Sequence, residues 1–213
     1  RREVCCGGAR PAGGPGHPQE RKPVMVSRIE ETLRGMLSDP SVAVRLAASA
    51  ALDRLRAKKS VSSYLQTLKT GTLEERVRIV FAAEEIGGSE GQTLLLAALE
   101  DKEQEVRGAA VRALESTLTG DVLRILAARL PGEEGVVLAN LLEALGKSRQ
   151  KELAPTIETY LGHPDVEVRG KAIQAYARVA ENDGWEKILA HATEQDETVR
   201  AAAARAFGEW SSS

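Results

Sequence analysis

The chain has 213 residues, of which 42% are hydrophobic, 3% aromatic and 28% charged, and its formal net charge is −2. This length suits one globular domain or a short repeat array. Few aromatic residues beside abundant Ala and Leu favour close helix packing over a β-rich core. No apolar stretch approaches the roughly 20 residues that cross a bilayer. The two cysteines are the neighbours Cys5 and Cys6, so residues 7–213 have no thiol for a disulfide, which predicts a cytoplasmic protein.

Residues 1–24 are rich in Gly and Pro and show no periodic apolar face. Because such a segment cannot offset its ordering entropy, we expect a disordered N-terminal tail. A redox or metal site at Cys5, Cys6 and His17 is one interpretation, but adjacent cysteines match no zinc-ligand spacing. The favoured interpretation is a tag remnant or a mis-called upstream start, with Met25 as the natural first residue. The predicted domains are therefore a tail at 1–24 and a helical repeat domain at 25–213.

From Ser27 onward the apolar spacing predicts six helical hairpins and no strands, each hairpin having a shorter helix A and a longer helix B. The A helices are expected near 27–37, 61–69, 90–99, 120–130, 151–161 and 184–193. The B helices are expected near 41–57, 73–87, 103–118, 133–147, 165–180 and 196–210. The capping-box spacing of Thr72 and Glu75 supports the start of the second B helix.

A phrase within the B helices repeats along the chain. Its opening valine recurs at intervals of 31 residues: Val106, Val137, Val168 and Val199. Related phrases open at Val44 and, less clearly, at Val77; the Val77 repeat is the poorest match, and a register one residue later is its alternative. A period in this range is the signature of stacked repeats. The sequence thus predicts an all-α, right-handed α-solenoid of about six hairpins, with the A helices on the convex side.

The B helices have one apolar face. With the opening Val as position 0, positions 0, 3, 4, 7 and 8 share a face at 100° per residue. In the third repeat these positions hold Val106, Ala109, Ala110, Ala113 and Leu114. This stripe is the predicted core, and its alanines allow helices to approach closely.

Two stretches, Leu153 to Ala180 and Glu100 to Thr117, resemble HEAT repeats of the short phycobilisome-lyase type. The shared pattern is an acidic turn, then Val-Arg, Ala pairs and an apolar residue at position 8. The resemblance covers about 25–210 and implies a HEAT-like solenoid. The family it points to includes scaffolds, subunits of bilin lyases and regulatory adaptors.

The resemblance also implies a ladder between repeats, in which the Arg at position 1 looks back to an acidic residue of a neighbouring turn. The arginines of this ladder are Arg45, Arg78, Arg107, Arg169 and Arg200. Their expected partners are Asp39, Asp101, Asp165 and Asp196. Leu138 interrupts the row, so we expect the junction of the fourth repeat to be held differently.

The sequence offers no recognisable catalytic centre. None of His17, His163 and His191 is followed by Glu, so the His-Glu pairs of the HEAT-fold iron hydroxylases are absent. Phosphate-loop, HExxH and GxSxG motifs are also absent, and no acid–base pair stands out from the charged surface. The sequence therefore predicts a non-enzyme, with no catalytic, cofactor-binding or metal-binding residues.

Solenoids present extended surfaces, so the leading hypothesis is a non-catalytic scaffold or adaptor that binds a protein or peptide partner. The alternatives are a subunit of a bilin-lyase-type enzyme and a nucleic-acid-processing HEAT-like protein. Residues 1–24 carry a charge of +3, which leaves −5 on the rest of the chain. That balance disfavours a nucleic-acid partner.

Positions 2, 6 and 9 lie opposite the core stripe and are expected to line the concave face. Position 2 is small in the regular repeats, whereas position 6 forms a polar row: Arg112, Glu143, Gln174 and Arg205. We expect this row to contact the partner. The last B helix carries Ala201 to Ala204 with no long charged side chain on its flank until Arg205, which suggests self-association through the C-terminal helix.

Overall fold

The computed structural model describes residues 18–180 and 184–210, and these ranges are helical throughout, with short turns and no strand. The helices are α1 (Pro18–Met36), α2 (Val42–Thr70), α3 (Leu73–Ile86), α4 (Gly88–Ala98), α5 (Gln104–Leu114), α6 (Gly120–Arg129), α7 (Gly135–Lys147), α8 (Ala154–Glu158), α9 (Val166–Val179), α10 (Trp185–Leu189) and α11 (Glu197–Trp210). Short 3₁₀ turns lie at Glu115–Thr117, Leu130–Gly132, Lys151–Leu153 and Ala190–Thr193. Helices α3, α5, α7, α9 and α11 are the B helices of the second to sixth repeats.

The first helix begins earlier than predicted. Helix α1 starts at Pro18, so residues 18–24, expected to belong to the tail, are its first turns. Proline is well accommodated at the first position of a helix, and the Gln, Glu, Arg and Lys that follow are good helix formers. Residues 1–17, and with them Cys5, Cys6 and His17, lie outside the described residues, so the disordered tail stays a prediction there.

The first predicted B helix and the second A helix are one helix, α2, of 29 residues. The residues expected to separate them, 58–60, include neither Gly nor Pro, so nothing in the backbone forces the helix to end. Further along, α8 and α10 are only five residues each, and 3₁₀ turns complete these A segments.

The chain divides into two compact units, residues 1–59 and residues 60–213. In unit 1, Ala48 and Leu52 on α2 are buried. The Lys59 ammonium lies 2.5 Å from the Glu30 carboxylate on α1, and this hydrogen bond lowers the pKa of Glu30.

In unit 2 the B helices α3, α5, α7, α9 and α11 pack in chain order, each against the next. This stacking of hairpins is the arrangement of an α-solenoid. The predicted stripe forms the core: Val106 and Leu114 are fully buried, and Ala109 at 7% is the most exposed of the five stripe residues in the third repeat. In the sixth repeat Val199 and Ala206 are buried in the same way. Close contact between B helices therefore rests on alanine at the positions that the sequence indicates.

The fourth repeat is indeed joined differently. Leu138 stands where other repeats have Arg, and its side chain is buried. On one side, Asn140 Nδ2 donates to the Gly108 carbonyl oxygen of α5 at 3.3 Å. On the other side, α7 approaches α9 so closely that a Cβ at Gly146 would lie 2.6 Å from the Cα of Ala175. Apolar contact and close backbone approach thus replace the arginine.

Candidate protein-binding face

Two arginines at position 1, Arg107 and Arg169, tie their repeats to the turn before and to the repeat after. Arg107 Nη1 donates to the Asp101 carbonyl oxygen at 2.8 Å, while its Nε donates to the Glu133 carboxylate of the next repeat at 2.9 Å. Arg169 bonds the His163 carbonyl in the same way and reaches Glu194 at 3.0 Å. Charge-assisted hydrogen bonds of this kind are strong. The ladder therefore reaches forward to the next repeat, whereas the sequence suggested that it looks back.

The second repeat uses Arg76, not Arg78. Arg76 is 6% exposed and donates through Nε to Asp101 Oδ2 at 2.7 Å. Its Nη1 bonds the Gly71 carbonyl oxygen, also at 2.7 Å. Arg78 is exposed and pairs only with Glu74 one turn away. The register of this repeat is thus two residues earlier than the one read from Val77.

A signal for Arg76 was present in the sequence. Arg45, Arg76 and Arg107 are separated by 31 residues each time, the same period that the valines follow later in the chain. Position 0 of the second repeat is Glu75, so the valine that marked the other repeats is missing there. The arginine period holds across this repeat where the valine pattern fails.

The predicted acidic partners have another role in most repeats. Asp165 accepts hydrogen bonds from the amides of Glu167 and Val168 at the start of α9. Asp196 does the same for α11, and these backbone N–H groups lower its pKa. Asp39 accepts from the amide of Ser41. Asp101 alone among the four predicted partners binds a ladder arginine through its carboxylate, and the others act as helix caps.

The arginines at the ends of the ladder pair with no carboxylate among the described side chains of their own unit. In unit 1, Arg45 Nη1 bonds the carbonyl oxygens of Asp39 and Pro40. In unit 2, Arg200 Nη1 bonds those of Glu194 and Gln195 at 2.7 and 2.6 Å. Arg200 is exposed, and no carboxylate in the described part of unit 2 pairs with it.

The four residues of the predicted position-6 row are in different surroundings. The Arg112 side chain is exposed and has no hydrogen bond or ion pair with any described residue. Gln174 and Arg205 lie side by side. When the Gln174 amide is turned so that its oxygen faces the guanidinium, that oxygen accepts hydrogen bonds from Arg205 Nε at 3.1 Å and Arg205 Nη2 at 3.3 Å. Glu143 is half-buried and bound to neighbouring lysines. Within the row, Arg112 and Arg205 are therefore exposed, Gln174 is half-buried beside Arg205, and Glu143 is engaged between repeats.

Glu143 is the centre of an ion network between repeats. Its carboxylate lies 2.5 Å from Lys171 Nζ on α9 and 3.0 Å from Lys147 Nζ. Lys147 also contacts the Glu115 carboxylate at 2.5 Å. The hydrogen bond from Lys171 is the main reason that the pKa of Glu143 falls to about 2. Glu143 is thus a brace between α7 and α9.

Two grooves open between successive B helices. The first, of about 370 Å³, lies between α3, α5 and the start of α7, and Arg112 lines it. The second, of about 410 Å³, lies between α9 and α11, and Gln174 and Arg205 line it. Position 2 beside the grooves is glycine: Gly108 in the first and Gly170 in the second, both buried by the adjacent helix. The small residues expected to form an open floor therefore serve helix packing as well.

The corrected register adds two residues to this face that sequence reasoning missed. Val77 becomes position 2 and Phe81 position 6 of the second repeat, in line with Gly108 and Arg112 of the third. Both line the first groove, and Phe81 is 58% exposed. The N-terminal end of the face in unit 2 is therefore apolar, where the predicted row was purely polar.

Among the side chains that the structure describes, no group of three or more His, Cys, Asp or Glu residues is placed to hold a metal ion. None of the helices described has both the length and the apolar character that crossing a membrane requires.

Stacked helical hairpins with a 31-residue period define an α-helical repeat protein of the solenoid class. The sequence model for HEAT repeats matches residues 123–208, which contain α7, α9 and the helices between them as well as most of α11. Residues 123–208 are therefore HEAT repeats. No curated protein matches the sequence.

Similar solved structures include a crystal structure of an engineered protein, 17% identical, with a TM-score of 0.48; the match covers 87% of this chain and 97% of that one. Another is human deoxyhypusine hydroxylase in complex with glycerol, 13% identical, with a TM-score of 0.37, covering 92% of this chain and 99% of that one.

Proposed function

We propose that this protein is a non-catalytic scaffold or adaptor that binds a protein partner along the B-helix face of unit 2. HEAT repeats generally serve as protein-interaction scaffolds. The observation that carries the proposal is the pair of grooves between successive B helices, which are lined by Arg112 in one case and by Gln174 and Arg205 in the other. Grooves between helices with a few placed polar groups are typical of peptide and protein recognition.

The charges of this face favour a protein over a polyanion. Arg112 and Glu105 line the first groove with no side-chain partner among the described residues, and Arg205 and Glu167 line the second. Nucleic-acid surfaces are instead dominated by one sign of charge. Mixed charges fix the register and choice of a protein partner.

Self-association through α11 is a second part of the proposal. Arg200 is anchored by carbonyl oxygens as Arg107 and Arg169 are, but it has no carboxylate to bind in the described part of unit 2. Ala204 is exposed, whereas Ile173, its counterpart one repeat earlier, is fully buried. The outer side of α11 thus exposes alanine at the position where the preceding repeat buries a large apolar residue, and a second copy would cover it.

The test is affinity capture from a lysate of the source organism by the wild type and two charge-reversed variants. Arg112→Glu combined with Arg205→Glu should reduce retention of specific partners by about tenfold or more, equivalent to about 1.4 kcal/mol. The matched control is Arg124→Glu on α6, because Arg124 is 80% exposed and pairs only with exposed Asp121. Lys187 is a poorer control, since its ammonium lies 2.6 Å from the Glu158 carboxylate. Equal loss in the control would place the binding surface elsewhere.

A further inference from the structure

The first B-helix groove has a composition that limits what can occupy it. Its walls include Val77 and Phe81 from α3 and Val136 from the start of α7. Phe81 is 58% exposed and Val136 54% exposed. Single exposed apolar residues are ordinary, but several around one groove indicate an interaction site.

The two charged residues of the groove lie on α5, at its two ends. Glu105 and Arg112 are seven residues apart, so their Cα atoms are separated by about 10 Å along the helix. Both residues line the groove, and neither side chain has a hydrogen bond or ion pair with a described residue. An occupant that carries a carboxylate opposite Arg112 and a cation opposite Glu105 would therefore be held in one direction.

The walls also determine the backbone form of the occupant. The walls are helices, and apart from the first-turn N–H groups of α5 and α7 their backbone groups are used within the helix, so an extended strand does not find the continuous row of main-chain partners that a sheet edge offers. Val77 and Phe81 are four residues apart and form a ridge on one face of α3. A helical occupant with apolar residues at i, i+4 and i+7 fits beside such a ridge.

We propose that the groove formed by Val77, Phe81, Gly108, Arg112 and Val136 binds an amphipathic α-helix of a partner protein, with an Asp or Glu of that helix paired to Arg112. The inference rests on the proposed function and specifies the kind of partner and its orientation. Phe81 and Val136 contact the apolar face of the bound helix. Arg112 and Glu105 bind its oppositely charged ends.

The probe is a phage-displayed library of random 16-residue peptides, selected on the full chain. Enriched peptides should share apolar residues at i, i+4 and i+7, with Asp or Glu near one end of that pattern. The most enriched peptide is then synthesised with a fluorescent label, and its Kd is measured by anisotropy. Phe81→Ser and Arg112→Glu should each weaken binding about tenfold or more. Replacing the acidic residue of the peptide by Lys should restore binding to Arg112→Glu.

Two matched variants keep the result specific. Ile125→Ser replaces another exposed apolar residue, 40% exposed and on α6, and Arg124→Glu reverses another exposed cation. Both should leave the Kd unchanged. Melting followed by circular dichroism should show that Phe81→Ser and Arg112→Glu remain folded, as both side chains are largely exposed.

The possible failures differ from one another. Suppose that the peptides bind Phe81→Ser with the same affinity as the wild type but bind Arg205→Glu more weakly. The first groove would then not be the binding site, whereas the proposed B-helix face would still be supported. Peptides that lose affinity only for the α6 variants would overturn both, as would a selection without enrichment. Sedimentation could also show that the wild-type chain is a dimer and that Phe81→Ser is a monomer. The occupant would then be a second copy of this chain, and the proposal of a helix from a partner protein would be overturned.

Discussion

Replacing Arg76 should destabilise the protein far more than replacing Arg78, two residues away on the same helix. The Arg76 side chain is 7% exposed and its partner Asp101 only 3%. Three hydrogen bonds are lost on substitution: those to Asp101 Oδ2 at 2.7 Å, Asp101 Oδ1 at 3.2 Å and the Gly71 carbonyl at 2.7 Å. Because Arg76→Ala leaves a buried carboxylate without its cation, we expect a loss of about 3–5 kcal/mol in the free energy of unfolding.

Arg78→Ala is the matched control. Arg78 and Glu74 are 68% and 82% exposed, and an exposed pair one turn apart contributes at most about 0.5 kcal/mol. The assay is urea denaturation followed by circular dichroism at neutral pH. Adding Asp101→Asn to Arg76→Ala should recover part of the loss, because the unpaired charge is removed. Equal losses for the two arginine variants, or a larger one for Arg78→Ala, would refute both the register and the burial argument.

Gly146→Ala should lower the free energy of unfolding by about 1–3 kcal/mol through overpacking, because the new Cβ would lie 2.6 Å from the Cα of Ala175. Gly170→Ala is the matched control, since its Cβ would lie 3.6 Å from the Cβ of Ala202. This variant should leave the free energy of unfolding unchanged or raise it by up to about 1 kcal/mol through helix propensity. A loss for Gly170→Ala as large as for Gly146→Ala in thermal melts would contradict the packing of α7 on α9. The pKa of Glu143 is lowered from 4.5 to about 2, so the carboxylate should stabilise the fold fully above the unfolded-state pKa and lose this effect as pH falls towards 2. The difference in free energy of unfolding between the wild type and Glu143→Gln should therefore shrink over that range. A difference that does not change with pH would count against the ion network. Ala204→Glu should shift any dimer of the wild type towards monomer in analytical ultracentrifugation, while a dimer that persists would exclude the outer side of α11 as the contact.

Helical periodicity was enough to predict the fold class and the core. The alanine-rich stripe at positions 0, 3, 4, 7 and 8 is buried in the third repeat. The helical period places those residues on one face, and this does not depend on the conformation of the turns that connect the helices. Boundaries were less predictable. The predicted break between the first B helix and the second A helix does not exist, since the sequence there contains no residue that prevents a helix from continuing.

The candidate site was only partly predictable, for two physical reasons. In the second repeat Glu75 occupies the position of the marker valine, so the repeated phrase matches best at Val77, and that register excludes Phe81 from the face. In the fourth repeat a polar residue at an outward position, Glu143, is paired with lysines from two repeats. Side-chain pairing across repeats depends on helix packing, which a pattern within one helix does not contain.

The most direct test of the central claim is to locate a bound peptide on unit 2 by nuclear magnetic resonance. The chain is labelled with ¹⁵N and titrated with the most enriched library peptide, and backbone amide shifts are followed. We predict that the largest changes occur at Phe81, Gly108, Arg112 and Val136, and that they are lost with Phe81→Ser. Changes centred instead on the exposed side of α6, around Arg124 and Ile125, would contradict binding at the B-helix face.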